Sequence, residues 1–287
     1  MLKISVIVTT YNRPEALTLV LQALAAQEYP SFPQPKQSQL FTKHHQQSPF
    51  EVIIADDGSS CATTRLIRDI QPYLPYPLRH VWQENQGFRA AKIRNRAITA
   101  AQGNYLIFLD GDCIPLTDFI SKHSQLAESD CFVTGNRILL SKNLTEQVIR
   151  QQSPVWYWHS LQWLLPYFRR DINRLSPLIR LPDSFLRKYC AQTWQGAKTC
   201  NLAVWREAIL KVNGFNEEFQ GWGYEDADLV VRLLSQGVRR KEGRFAVPVF
   251  HLWHPPTDRS QEQHNRQRLF TTLQQEKLHL PILSNCK

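Results

Sequence analysis

Tyr105-Leu106-Ile107-Phe108-Leu109-Asp110-Gly111-Asp112 is the stretch that decides the fold. Its apolar run reads as a strand buried on both faces, as in the middle of a parallel sheet, and it stops on two carboxylates separated by a glycine. In open α/β sheets ligands bind outside the carboxyl ends of the strands, so Asp110 and Asp112 are expected to face a ligand crevice. Two carboxylates converging there suit a hard divalent cation, Mn2+ or Mg2+, that also takes phosphate oxygens. Acid-glycine-acid alone is common by chance; its weight comes from what precedes and follows it.

Upstream, Lys3 to Thr10 is β-branched and nearly continuously apolar, a second buried strand. It halts at Tyr11-Asn12-Arg13-Pro14, where Pro14 suits the first turn of a helix, and Leu17, Val20, Leu21 and Leu24 then recur at helical spacing. Residues 28–49, rich in Pro, Gln, Ser and His, read as a surface insertion. Phe50 to Ala55 is a strand running into Asp56-Asp57-Gly58-Ser59-Ser60. Those acids either face the crevice or form an Asx-capped turn, and the residues alone leave both readings open. Leu78 to Gln83 is a further strand, leading through Gly87 to a helix with Ala90, Ile93, Ala97, Ile98 and Ala101 inward. On that helix Arg94 and Asn95 are placed to meet phosphate or ribose oxygens, while the other charges read as a solvated face. Strands alternating with helices predict an α/β fold with a mixed, mainly parallel sheet flanked by helices.

Downstream, a helix is expected from Thr117, then a strand from Cys131 to Gly135 continuing toward Leu140. Residues 156–188 carry Trp156, Trp158, Trp163, Tyr167 and Phe168 followed by Arg169, Arg170, Arg174, Arg180, Arg187 and Lys188. Such a mixture can pack as core, line a sugar subsite or lie against an anionic membrane surface. Gly221-Trp222-Gly223-Tyr224-Glu225-Asp226-Ala227-Asp228 then reads as a flexed aromatic loop feeding a helix closed by Gly237. Three acids in a first turn stabilise a helix by meeting its dipole, the plainer reading. Asp226 also shares a face with Leu229, Val230 and Leu233, so it opens the stripe turned to the core, where a carboxylate can serve as a general base. Asp228 reads as a helix-end charge only.

At 287 residues and 43% hydrophobic content the chain buries a real core, and disorder is excluded. Its formal charge of +9 suits a nucleotide, a phosphorylated substrate or an anionic surface. Nucleic acid is not expected, for the sequence has no zinc-finger spacing, RNP-type run or lysine block. Six cysteines without a CxxC pair argue against a zinc site or a redox dithiol and for a reducing compartment. With no signal-peptide pattern and no apolar run near ~20 residues, the expected location is cytoplasmic, with peripheral attachment at the inner face of the membrane through 156–188 as a further option.

Taken together, Ser5 to Arg13, Asp56-Asp57-Gly58-Ser59, Gly87 with Arg94-Asn95, and Asp110-Gly111-Asp112 resemble in order the family 2 glycosyltransferases of GT-A fold. The run from Asn201 through Gly214-Phe215 and Gly221-Trp222-Gly223 to Glu225-Asp226 resembles the C-terminal segment of galactosyltransferases. Bacterial chondroitin-type polymerases and polypeptide N-acetylgalactosaminyltransferases share that segment. The resemblance implies one continuous GT-A domain whose 1–115 half binds a nucleotide sugar, with UDP as the nucleotide, and whose 116–287 half binds the acceptor and carries the catalysis. It implies that Thr9, Tyr11, Asn12, Arg13, Asp56, Asp57, Gly87, Arg94, Asn95, Asp110 and Gly111 hold the nucleotide sugar and that Asp112 brings Mn2+ or Mg2+ to the diphosphate. Trp222 and Gly223 would form the acceptor platform, Glu225 would bind acceptor hydroxyls, and Asp226 would deprotonate the attacking one. Tyr224 departs from the glycine those families often place there. His254 is the expected histidine ligand to the metal, with His251 as runner-up; a histidine at a strand end is otherwise more often structural.

The expected activity is an inverting, metal-dependent transfer of a hexose or N-acetylhexosamine to a saccharide or lipid-linked saccharide acceptor, as in surface polysaccharide synthesis. The alternatives are another metal-dependent nucleotide-diphosphate enzyme and a non-catalytic sugar- or membrane-binding module on the same scaffold.

Overall fold

The computed structural model describes residues 2–29 and 48–276. Most of the expected insertion therefore lies outside the described residues. The first half alternates as expected: β1 (Ile4–Thr10), α1 (Pro14–Ala25), β2 (Phe50–Asp56), α2 (Cys61–Ile70), β3 (Leu78–Trp82), α3 (Ala90–Ala100) and β4 (Tyr105–Asp110). After it come β5 (Cys113–Pro115), α4 (Phe119–Leu126), β6 (Cys131–Thr134), β7 (Arg137–Leu139), α5 (Lys142–Gln151) and the short α6 (Leu164–Phe168). The chain closes with β8 (Asn201–Trp205), α7 (Arg206–Lys211), α8 (Glu225–Ser235), β9 (Arg239–Glu242), β10 (Val249–His251) and α9 (Glu262–Gln275).

The main sheet has the order β3-β2-β1-β4-β8-β6-β9. Its first four strands are parallel, β8 runs antiparallel to both neighbours, and β6 and β9 are again parallel. Both faces of the sheet are covered. On β1, Ile4, Val6 and Val8 join a cluster with Leu17, Val20 and Leu24 of α1, whereas Ile7 joins Ile93 and Ala97 of α3 and Leu229, Val230 and Leu233 of α8 on the opposite face. That two-sided burial is why the strands read as continuous apolar runs without alternation. Each buried Val, Ile or Leu contributes about 1.5–3 kcal/mol against exposure, so the sheet centre is the rigid part of the molecule.

One expected strand divides in two. Cys131 to Leu140 was expected to run through; β6 pairs in the main sheet, and β7 leaves it for a small sheet of order β5-β10-β7. The break falls at Gly135, where a Cβ would sit 2.2 Å from the Asn201 side chain. The small sheet positions the site: β10 pairs with β5 so that His251 stands opposite Cys113, next to the acidic turn. Because β1 pairs with β2 on one side and β4 on the other, chain order reverses at β1. Thr10 is in register with Asp56 and Thr9 with Asp110, so the crevice opens at the carboxyl edge where both acidic motifs end.

Candidate active site

Arg94 links the two halves of the chain. Its guanidinium, 5% exposed, lies 3.4 Å from Asp110, 3.1 Å from Glu225 and 3.6 Å from Asp226, and its Nε donates to Thr9 Oγ1 at 3.2 Å. The ring of Phe215 supports it at 5.5 Å. Burial works against its charge, but the carboxylates of Asp226, Glu225 and Asp110 more than offset that and raise its pKa. Arg94 was expected to meet phosphate or ribose; the structure sets it against three acids, the anionic partners that a buried guanidinium needs. Asn95 also departs from expectation. Its amide donates to the Phe215 carbonyl and to Glu217 and accepts from the Phe215 N–H, which pins the 213–217 turn to α3.

The Asp56-Asp57 pair is an internal clamp. Asp56 is fully buried, accepts from the Ser59 N–H at 2.8 Å and pairs with His80 Nε2 at 3.0 Å, the contacts of a capped turn. Asp57 accepts from Gln83 Nε2 at 2.6 Å and from the Arg89 N–H at 2.7 Å. Burial raises its pKa despite those bonds. The pair thus fixes the loops that border the crevice. Above it, Tyr11 is half exposed and its hydroxyl accepts from Asn85, while Asn12, at φ +48°, bonds the backbone of Ser60 through its side chain. Gly87 has φ +83°, and the adjoining Phe88 carbonyl accepts from the Gly221 N–H at 2.9 Å, so the two glycine loops touch across the crevice.

Asp112 is ringed by donors. Arg13 Nη1 lies 2.6 Å from its Oδ2, His251 Nε2 3.5 Å from Oδ1 and His254 Nε2 3.8 Å from Oδ2. Gly111 allows this turn, since a Cβ there would stand 3.1 Å from Thr10 and the Thr9 carbonyl. His254 Nδ1 is 2.7 Å from the Pro255 carbonyl, which can only accept, so Nδ1 carries a proton and Nε2 is the ring nitrogen turned toward Asp112. Burial, only partly offset by Asp112, pushes His251 down to about 4, which leaves its imidazole neutral at about pH 7. A carboxylate flanked by two imidazoles fits a divalent cation with mixed O and N ligands. The described geometry brings both histidines to Asp112 and does not divide them into ligand and bystander.

At the opposite wall, Tyr224 adopts φ +71°, the left-handed region that glycine favours, so its departure from the glycine pattern carries backbone strain at the entry to α8. Glu225 is almost wholly buried and is pushed up to about 7 by burial and by Asp226, against the pull of Arg94. Asp110 is likewise pushed up to about 6 by burial. Asp226 keeps more of its carboxyl accessible and accepts from Thr199 Oγ1 at 2.6 Å. Thr199 had no role in the sequence reading; a lone loop hydroxyl gives no periodic or spacing signal. Trp222 is partly exposed with the Arg259 guanidinium 4.4 Å from its ring centre, so one face is covered. Asp228, expected to be only a helix-end charge, is 1% exposed; it binds Arg232 and accepts from Thr272 Oγ1 at 2.8 Å, holding α9 against α8.

The aromatic segment divides by position. Trp156 and Trp163 are core, with Trp163 stacked on Phe250 of β10 at 4.1 Å, whereas Leu161, Phe168, Phe185 and Tyr189 are 77–85% exposed. No described helix is long and apolar enough to cross a membrane.

Comparison with known proteins agrees with this geometry. Residues 5–185 match the model described as glycosyl transferase family 2, and residues 183–254 match the one described as the N-terminal domain of galactosyltransferase. A hyaluronan synthase of Pasteurella multocida is 30% identical over 256 residues, covering 82% of this chain and 23% of that protein, so the chain spans under a quarter of its relative. Residues 1–349 of Staphylococcus aureus TarS in complex with UDP superpose with a TM-score of 0.58 at 18% identity, covering 96% of this chain and 66% of that one. A mannosyltransferase from Pyrobaculum calidifontis in complex with GDP-Man and Mn2+ superposes at 0.59 with 17% identity, covering 94% and 62%.

Proposed function

The chain belongs to glycosyl transferase family 2, and from that premise we propose an inverting, metal-dependent transfer of a hexose or N-acetylhexosamine from a UDP-sugar to a saccharide or lipid-linked saccharide acceptor. One observation carries the reading: a single guanidinium, Arg94, contacts both the acid that ends β4 and the acids that open α8, so donor and acceptor motifs border one crevice. The donor's nucleotide lies along Thr9, Tyr11, Asn12 and the Gly87 loop, and Asp57 holds that loop in place.

Asp226 is the base. Its carboxylate reaches the crevice and is oriented by Thr199, while Glu225 sits deeper and is tied to Arg94. The acceptor hydroxyl loses its proton to Asp226 as its oxygen bonds to the anomeric carbon, and the bond from that carbon to the diphosphate oxygen breaks on the opposite face. One base is enough for this displacement, and the configuration inverts. Glu225 binds acceptor hydroxyls beside the platform of Trp222 and Gly223. Asp112 with His254 or His251 would hold a Mn2+ or Mg2+ ion, which would neutralise charge developing on the leaving diphosphate.

The acceptor reading extends to a surface. Leu161, Phe168, Phe185 and Tyr189 are exposed on the segment that carries Arg169, Arg170 and Arg174, none of which has an ion-pair partner among the described residues. That combination suits an anionic bilayer presenting a lipid-linked acceptor. Flotation with anionic but not neutral vesicles, weakened by salt, is expected; failure to float with anionic lipid removes the bilayer from the reading.

The transfer itself is tested by a donor screen that follows nucleotide-diphosphate release with Mn2+, joined to calorimetry of UDP. UDP binding should require Mn2+ and be lost in Asp112→Ala; metal-independent binding that survives this change overturns the diphosphate site.

A further inference from the structure

Cys113 follows Asp112 directly, and its sulfur points back into the acidic turn. Sγ lies 3.7 Å from Asp112 Oδ1, the same oxygen that His251 Nε2 approaches at 3.5 Å, and one donor atom from each residue falls within 4.8 Å of the others. The arrangement follows from register: β10 pairs with β5 so that His251 faces Cys113. The same sulfur belongs to a second cluster, for Cys113, Cys200 and Asp110 also lie within 4.8 Å of one another. Scattered in sequence, two cysteines are thus brought together behind the acid-glycine-acid turn.

These spacings fit a particular kind of ion. A tetrahedral ion bonded at about 2.0 Å to oxygen and nitrogen and about 2.3 Å to sulfur sets its donors about 3.3–3.5 Å apart. The two distances to Asp112, 3.5 and 3.7 Å, are met by shifts of a few tenths of an ångström, and the third pair, sulfur to imidazole, lies within 4.8 Å and closes as the ion draws its donors in. Hard cations such as Mg2+ and Mn2+ favour oxygen and gain little from a sulfur, whereas Zn2+ and Co2+ take thiolate, imidazole and carboxylate together and bind such donors more tightly than Mn2+.

We propose that Asp112, Cys113 and His251 form a binding site for a thiophilic tetrahedral divalent cation, with Zn2+ as the type, that competes with the hard cation of the transferase. On binding, the Cys113 S–H bond breaks, sulfur bonds to the ion and the proton leaves to solvent. Asp112 is then turned toward Cys113 and away from the diphosphate, so the Zn2+ form is inhibited. The inhibition rests on the proposed role of Asp112 in transfer; the binding does not.

The test uses Co2+, which reports sulfur coordination by a thiolate-to-cobalt charge-transfer band in the near ultraviolet. It is added to a protein carrying Cys61→Ala and Cys286→Ala, which removes the exposed thiol and the C-terminal one. A charge-transfer band with tetrahedral visible absorption is expected, and it is lost in Cys113→Ala. Absence of the band with Cys113 intact overturns the site whether or not any variant folds, and so does a band of full strength in a folded Cys113→Ala protein. In parallel, Zn2+ is titrated against Mn2+-supported UDP release, each variant normalised to its own rate. Changes in the outer shell alone cost about 10–100-fold in metal affinity, so losing the sulfur donor should raise the Zn2+ concentration for half-inhibition by at least that range's lower end. Equal inhibition in both proteins overturns the inhibitory role. A protein that binds Co2+ through sulfur yet transfers no sugar from any donor keeps this site and loses the function proposed above.

Discussion

Two acidic pairs, Asp56-Asp57 and Glu225-Asp226, stand at element ends on the crevice and look alike in sequence, yet the structure treats them differently. Asp56 and Asp57 are both buried and their carboxylates are consumed by Ser59, His80, Gln83 and Arg89. Glu225 and Asp226 share one guanidinium between them; the Asp226 side chain stays partly accessible, and burial with the neighbouring Asp226 pushes Glu225 up to about 7. Chemical capacity in a carboxylate depends on what its partners leave over. The first pair builds a loop, and the second retains the capacity to take a proton.

The sharpest way to break this contrast is Asp226→Asn. Loss of a general base should lower turnover by about 10²–10⁴-fold with UDP affinity unchanged, read by UDP release and calorimetry; unchanged turnover removes the base. Next in size is Arg94→Met, which strands Asp110, Glu225 and Asp226 beside one another. A loss of about 3–5 kcal/mol in denaturant unfolding is expected, as when one partner of a buried ion pair is removed. Asp56→Asn should cost about 1–3 kcal/mol of stability and leave UDP affinity where it was, since its carboxylate is taken up by Ser59 and His80.

The smallest effect is a pH slope. Glu225 and Asp110 have folded pKa values raised to about 7 and about 6 from 4.5 and 3.8, so the native state binds more protons than the unfolded chain between those limits. These two groups therefore make stability fall as pH rises from about 4 to 7. Glu225→Gln should flatten the upper part of that fall in melts taken across the range, and an unaltered profile would show Glu225 to be ionised throughout.

Much of the fold was legible because its signal is local. Strands buried on both faces must be apolar throughout, so β1, β2 and β4 declared themselves, and their acidic ends marked the crevice edge. The division between β6 and β7 was not legible, because it turns on Gly135 making room for Asn201, a residue far along the chain. Site residues followed the same rule. Asp112, Asp226 and the histidines were singled out by residue type and order, whereas the internal contacts of Asn95 depend on the 213–217 turn and those of Asp228 on α9. The strain at Tyr224 was foreshadowed only as a departure from glycine; its cause is the φ of +71°.

By itself, then, the sequence determined the α/β class, the order of the acidic motifs and the chemistry their residue types permit, since these rest on periodicity and on side-chain chemistry. Only the tertiary structure decided how each charge is spent. Arg94 reads as a cation placed for phosphate or ribose until packing shows it among Asp110, Glu225 and Asp226, and Cys113 reads as one of six scattered thiols until β10 sets His251 against it. Charge and ligation act through distance, and distances between residues remote in sequence are set by packing alone.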